Sequence, residues 1–135
     1  MALYRCASGG GMTETTLWTN PDSTQSFASQ LVSISPYTFS EFDYIKIEWK
    51  GSTWPTSPTG HILVPPDVLA SSNGSNEALR AAIGMSPQQD STGYVRKLYS
   101  YRDTKLDFSN CSQMGGSGNT NSYTIPLKIV GIKLS

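Results

Sequence analysis

The sequence predicts an all-β domain, an antiparallel β-sandwich or jelly roll carrying at most one short helix. Three observations lead there. Charged residues make up only 15% of the chain, where soluble domains average about a quarter. Ser, Thr, Asn and Gly carry the polar share instead, the mix that fits strands and the bends between them. Short apolar stretches recur between turn-forming clusters, and about eight of them at such spacing suit a sandwich. One stretch, Tyr44–Lys50, alternates strictly: Ile45, Ile47 and Trp49 against Lys46, Glu48 and Lys50, one buried face and one wet face. No βαβ spacing supports a parallel sheet, and a small closed barrel is the competing all-β shape. The 135 residues suit one core, so 1–135 is taken as a single domain.

The elements follow in order. Thr13–Thr19 is a Thr-rich strand ending at the turn Asn20-Pro21-Asp22-Ser23. Phe27–Ile34 is the next, with Ala28, Val32 and Ile34 on one face and Phe27 and Leu31 on the other, broken by Ser35-Pro36. After Tyr44–Lys50, residues 51–60 hold two prolines and read as an exposed loop. His61–Val64 is a short strand stopped by Pro65-Pro66. Residues 76–83 have helix-forming composition, with Ser75 as cap and Gly84 as terminator, and form the one helix expected. Gly93–Tyr101 and Lys105–Cys111 flank a hairpin turn at Arg102-Asp103-Thr104, and residues 113–122 form a Gly/Asn/Ser loop. Ile125–Leu134 closes the chain with apolar residues on both faces, Leu127 and Ile129 on one and Val130, Ile132 and Leu134 on the other. Such a strand needs covering on both sides, by its own domain or by another subunit.

Composition excludes several function classes. Ten basic residues balance ten acidic ones, so no net field draws nucleic acid or anionic lipid. No segment reaches the roughly 18 apolar residues of a membrane helix. The N-terminus has no apolar region of the secretory kind, which favours folding in a reducing cytoplasm or as one module of a longer chain. Cys6 and Cys111 are then expected as free thiols. Two cysteines and one histidine do not make a zinc site, and neither a metal nor a cofactor is expected.

Catalytic patterns are also missing. His61, the one histidine, sits beside Ile62, Leu63 and Val64 with no nucleophile elbow elsewhere. Asp43 and Glu48 stand five residues apart and so face opposite ways, while Glu41 and Asp43 are a common solvated pattern. The glycine runs at 9–11 and 115–118 precede no helix that could hold a phosphate. No catalytic residue is assigned, and a binding or structural role is expected.

Two places are candidates for ligand contact. Trp54 lies in the Pro-rich loop, where an indole ring left without a partner is unfavourable. In the run Tyr94–Arg102, Tyr99, Tyr101 and Arg102 combine rings that stack on sugars with a guanidinium that holds carboxylates. The plainer reading puts Tyr99 and Tyr101 in the core and leaves the basic residues to keep the outer face soluble.

Three segments carry a resemblance. Ser122-Tyr123-Thr124-Ile125-Pro126-Leu127-Lys128-Ile129-Val130-Gly131-Ile132-Lys133-Leu134 resembles the closing strand of β-rich modules in phage and prophage tail proteins of Gram-positive bacteria. Asp43-Tyr44-Ile45-Lys46-Ile47-Glu48-Trp49 and Thr16-Leu17-Trp18-Thr19-Asn20-Pro21 resemble earlier parts of those modules, in the same order. The resemblance implies a virion component assembled in the host cytoplasm: a tail-tip, fibre or head-decoration protein, used for assembly or host-surface attachment. It also implies a homo-oligomer, with threefold symmetry favoured, whose partners are other virion proteins or a cell-surface glycan. A carbohydrate-binding module of a bacterial surface protein is the alternative, and a small hydrolase ranks third.

Overall fold

A computed structural model describes residues 11–70, 78–85, 93–114 and 120–135. Among these, nine strands follow one another: β1 (Met12–Thr19), β2 (Gln30–Ser33), β3 (Tyr44–Ser52), β4 (Thr59–Val64), β5 (Ala78–Met85), β6 (Tyr94–Arg102), β7 (Lys105–Phe108), β8 (Ser112–Gln113) and β9 (Tyr123–Leu134). They form two antiparallel sheets, one ordered β1–β9–β3–β4 and the other β2–β7–β6–β5, with β8 also paired to β6. The all-β sandwich read from the sequence is the architecture found. Two of its pairs, β1 with β9 and β2 with β7, join strands far apart in the chain. Two others, β3 with β4 and β5 with β6, join strands consecutive in the chain.

The alternation in β3 sets the core. Ile45, Ile47 and Trp49 are buried and Lys46 and Glu48 half-buried on the opposite face, as the period of two requires, but Lys50, expected on the wet face, is buried at 8% exposure. Leu17, Val32, Leu98, Leu106, Phe108, Ile125 and Ile129 meet them from the other strands. Each such side chain contributes about 1.5–3 kcal/mol relative to exposure. Trp18, Phe27 and Phe108 form an aromatic cluster with ring centroids 5.6–6.0 Å apart. Connections add to the core as well. Phe39, in a 3₁₀ turn (Phe39–Glu41), and Leu69, in a one-turn helix α1 (Pro66–Ala70), are both fully buried.

The two apolar faces of β9 are explained by its position. It is a central strand, paired with β1 on one side and β3 on the other. Ile125 and Ile129 point into the core. Val130 stands between Thr16 and Lys46, and Ile132 between Glu14 and Tyr44. Both are on the outer face, yet only 1% and 3% exposed. These two side chains are therefore covered within one chain. Pro126 has no N–H to donate to the ladder, and β9 carries one extra residue beside it, Leu127, between the partners of Glu48 and Trp49.

One expected element is overturned. The helix expected at 76–83 is strand β5 from Ala78 onward; Ser75, Asn76 and Glu77 lie outside the described residues. Its helix-forming residues instead pair with β6, Ile83 is buried in the core, and tertiary context outweighs propensity. Gly84 is not a helix stop. A Cβ there would collide with the Tyr94 carbonyl oxygen, so glycine is what lets β5 approach β6 so closely. The second expected strand is also shorter than read, Gln30–Ser33, with Leu31 44% exposed.

Candidate functional site

The loop 53–58 joins β3 to β4 and is tied down at both ends. The Gly51 N–H donates to the Pro58 carbonyl at 2.8 Å, and the Ser57 N–H to the Trp54 carbonyl at 3.1 Å. The Trp54 N–H donates to Ser52 Oγ at 3.3 Å, and the Ser52 and Ser57 hydroxyls bond to each other. The loop is also fastened to the start of β9, because the Thr53 N–H donates to the Ser122 carbonyl at 3.1 Å and Ser52 pairs with Tyr123.

Between the loop and Ser122–Tyr123 lies an open cleft of about 390 Å³, within the range of small-ligand sites, about 300–1,000 Å³. Ser52, Thr56, Ser57 and Ser122 line it with hydroxyls, and Trp54, Pro58 and Tyr123 with apolar surface. No ionisable acid or base is among these lining residues other than the Tyr123 phenol. Trp54 is 71% exposed.

The Tyr123 wall is built from inside the sandwich. Its ring stacks on Tyr94 of β6, with centroids 4.1 Å apart and planes 16° from parallel. Thr124 follows with φ +48°, a left-handed conformation that is strained for a β-branched residue. Its hydroxyl donates to the Tyr94 carbonyl at 3.0 Å.

Beneath both lies Arg96, whose side chain is fully buried. Among the described residues no carboxylate pairs with it. Its Nε donates to the Thr124 carbonyl at 2.9 Å and its Nη2 to the Tyr123 carbonyl at 3.2 Å. Its Nη1 donates to the Phe27 and Ser109 carbonyls, each at 2.8 Å. The guanidinium also sits 5.1 Å from the centre of the Phe27 ring. Burial pulls its pKa down to about 10, with the neighbouring Cys111 acting in the opposite direction. Four carbonyls from three stretches of chain thus converge on one fork-shaped donor.

Of the candidate residues whose side chains are described, Trp54 is placed at this cleft and Tyr99 is not. Tyr99 lies half-buried on the other face of β6 from Arg96 and Leu98, beside the exposed Lys97. This corrects the expected facing of that strand: its basic Arg96 points into the core, and the face of Tyr99 and Lys97 points outward. The side chains of Tyr101 and Arg102 lie outside the described residues, as does Cys6. Cys111 is a buried free thiol. His61 is exposed on β4, opposite Glu48 in the ladder.

The sequence reading missed Ser52, Ser122, Tyr123 and Arg96. Ser122 and Tyr123 reach the loop only through the register of β9 on β3. Arg96 differs from a surface arginine by nothing in its local sequence.

Among the described residues no group of three His, Cys, Asp or Glu could hold a metal ion, and no helix is long and apolar enough to cross a membrane. No family model, no curated protein and no solved structure matches the chain.

Proposed function

We propose that this chain is a non-catalytic attachment module of a phage-type particle, and that it grips a polymer of the bacterial surface through the cleft at Trp54. The observation that carries this reading is an indole ring 71% exposed above a cleft lined by hydroxyls. A large ring held out to water on a tied-down loop is favourable when a partner covers it. Among the described residues the cleft lining offers no His, Asp or Glu for acid–base or nucleophilic chemistry, which supports binding without turnover. The resemblance of the β1, β3 and β9 segments to phage tail modules supplies the setting.

A carbohydrate-binding module of a surface protein would use the same cleft and is the second reading. The two separate by mass in solution. A particle protein associates, to about three times 14.6 kDa if trimeric, whereas a single binding module stays at 14.6 kDa. The attachment itself is tested by sedimentation with purified bacterial cell walls. The protein is expected in the pellet, and Trp54→Ala in the supernatant. Equal partition of the two would end the reading.

A further inference from the structure

We infer that the cleft takes a neutral pyranose ring, laid on the Trp54 indole and against the Tyr123 wall, with its hydroxyls bonded to Ser52, Ser57 and Ser122. The inference rests on the attachment reading and names the chemistry of what is bound.

The charge of the lining selects the ligand. An anion entering the cleft would lose water with no cation among the described residues of the lining to replace it, and a cation would meet no carboxylate among them. A sugar suits the same surface. One face of a pyranose presents C–H bonds, weakly positive, which match the negative face of an indole. Its rim presents hydroxyls that both donate and accept, as serine and threonine hydroxyls do. The bond between Ser52 and Ser57 uses one of their two hydroxyl hydrogens, which leaves the other, with free lone pairs, for the ligand.

The wall is set before the ligand arrives. The Arg96 fork holds the carbonyls of Tyr123 and Thr124 in their strained turn, and Tyr94 backs the Tyr123 ring. A wall already ordered loses little entropy on binding, the cost that weakens small neutral ligands most.

The test uses the whole chain and the fluorescence of Trp54, since Trp18 is half-buried and Trp49 buried. Methyl glucoside, methyl galactoside, N-acetylglucosamine and their short oligomers are titrated against glucuronate and glycerol 3-phosphate. A neutral sugar is expected to shift the emission to the blue and shield it from iodide, with a Kd on the order of 1 mM for a single ring. The charged probes should bind at least tenfold more weakly. By calorimetry, Trp54→Ala should abolish the binding and Trp54→Tyr should restore part of it. An exposed position makes both variants nearly neutral for folding.

The inference is overturned if a charged probe binds as tightly as the neutral ones, if no neutral probe saturates, or if Trp54→Ala binds them unchanged. These outcomes differ from failure of the attachment reading. Trp54-dependent sedimentation with cell walls, without binding of any neutral sugar, removes this ligand and leaves attachment standing.

Discussion

Lys46 and Arg96 are both cations on central strands, and the fold treats them in opposite ways. Lys46 stands on the outer face of the β1–β9–β3–β4 sheet. Its ammonium lies 3.2 Å from Glu14 and 3.3 Å from Glu48, and Lys128 lies 3.9 Å from Glu48. Arg96 points into the sandwich and meets four carbonyl oxygens and a phenyl ring, with no acid partner among the described residues. The first arrangement leaves charge in water, where ion pairs contribute little. The second takes a whole charge out of water and offsets the cost with hydrogen bonds from a planar fork. Half-buried charge on a sheet face and the fully buried charge of Arg96 therefore coexist in one small domain, and the fully buried one lies behind the cleft.

The largest expected effect is on the buried side. Arg96→Ala strips four carbonyls, two buried and two partly buried, of this donor and leaves a void, at a cost of about 5 kcal/mol. Urea unfolding measures it, and a loss under about 2 kcal/mol would show that water replaces the guanidinium readily. The same opening should be visible chemically. In a Cys6→Ser background, buried Cys111 is expected to resist a thiol reagent in the native state and to react much faster once Arg96 is removed.

Slightly smaller is the loss from Trp49→Ala in the opposite sheet, about 4 kcal/mol for emptying a large aromatic site. It calibrates the comparison, since it removes packing without touching a charge. A cost under about 1 kcal/mol would contradict the burial of the Ile45, Ile47 and Trp49 face.

A third test separates position from stability. Arg96→Lys keeps the charge but has no fork to span Tyr123 and Thr124 together. Its affinity for a neutral sugar should fall about tenfold, or ~1.4 kcal/mol. Leu106→Ala, a core substitution on β7, should destabilise the fold by about 2–5 kcal/mol and leave affinity unchanged, both measured where the proteins are folded. If affinity follows stability in both, Arg96 is structural only.

The smallest effect belongs to Lys46. Burial lowers its pKa, but its hydrogen bonds to Glu14 and Glu48 outweigh that and leave it raised. A base with a raised folded pKa contributes stability that is complete below the unfolded lysine value, about 10.4, and is lost as pH rises through the folded one. Glu14→Gln should therefore cost no more than about 0.5 kcal/mol at neutral pH and shrink that alkaline loss. A larger effect would mean that the outer face is less wet than its ion pairs suggest.

Much of the architecture was legible because it is local. The turn at Asn20-Pro21 is held by the Asp22 N–H on Asn20 Oδ1 at 3.0 Å, a bond the residue types announce. The hairpin turn before Lys105 and the alternation in β3 were legible for the same reason. The exposed Trp54 also followed from its Pro-rich surroundings. The β5 segment was not legible, because Ala, Leu and Arg favour helices until a neighbouring strand outbids them.

The order of residues by itself determined that strands would form, where most would turn, and that one indole would stand in a loop. Those outcomes depend on side-chain period and turn chemistry within a few residues. Tertiary structure alone decided that β9 is central and covers Val130 and Ile132 within one chain, that Ser122 and Tyr123 meet the loop at Trp54, and that Arg96 turns inward. Each depends on register between strands far apart in the chain: Ser52 meets Tyr123 and Ile47 meets Ile129 only when β3 and β9 pair. A strand's period says which side chains share a face, and only the pairing of the sheets decides which face is buried.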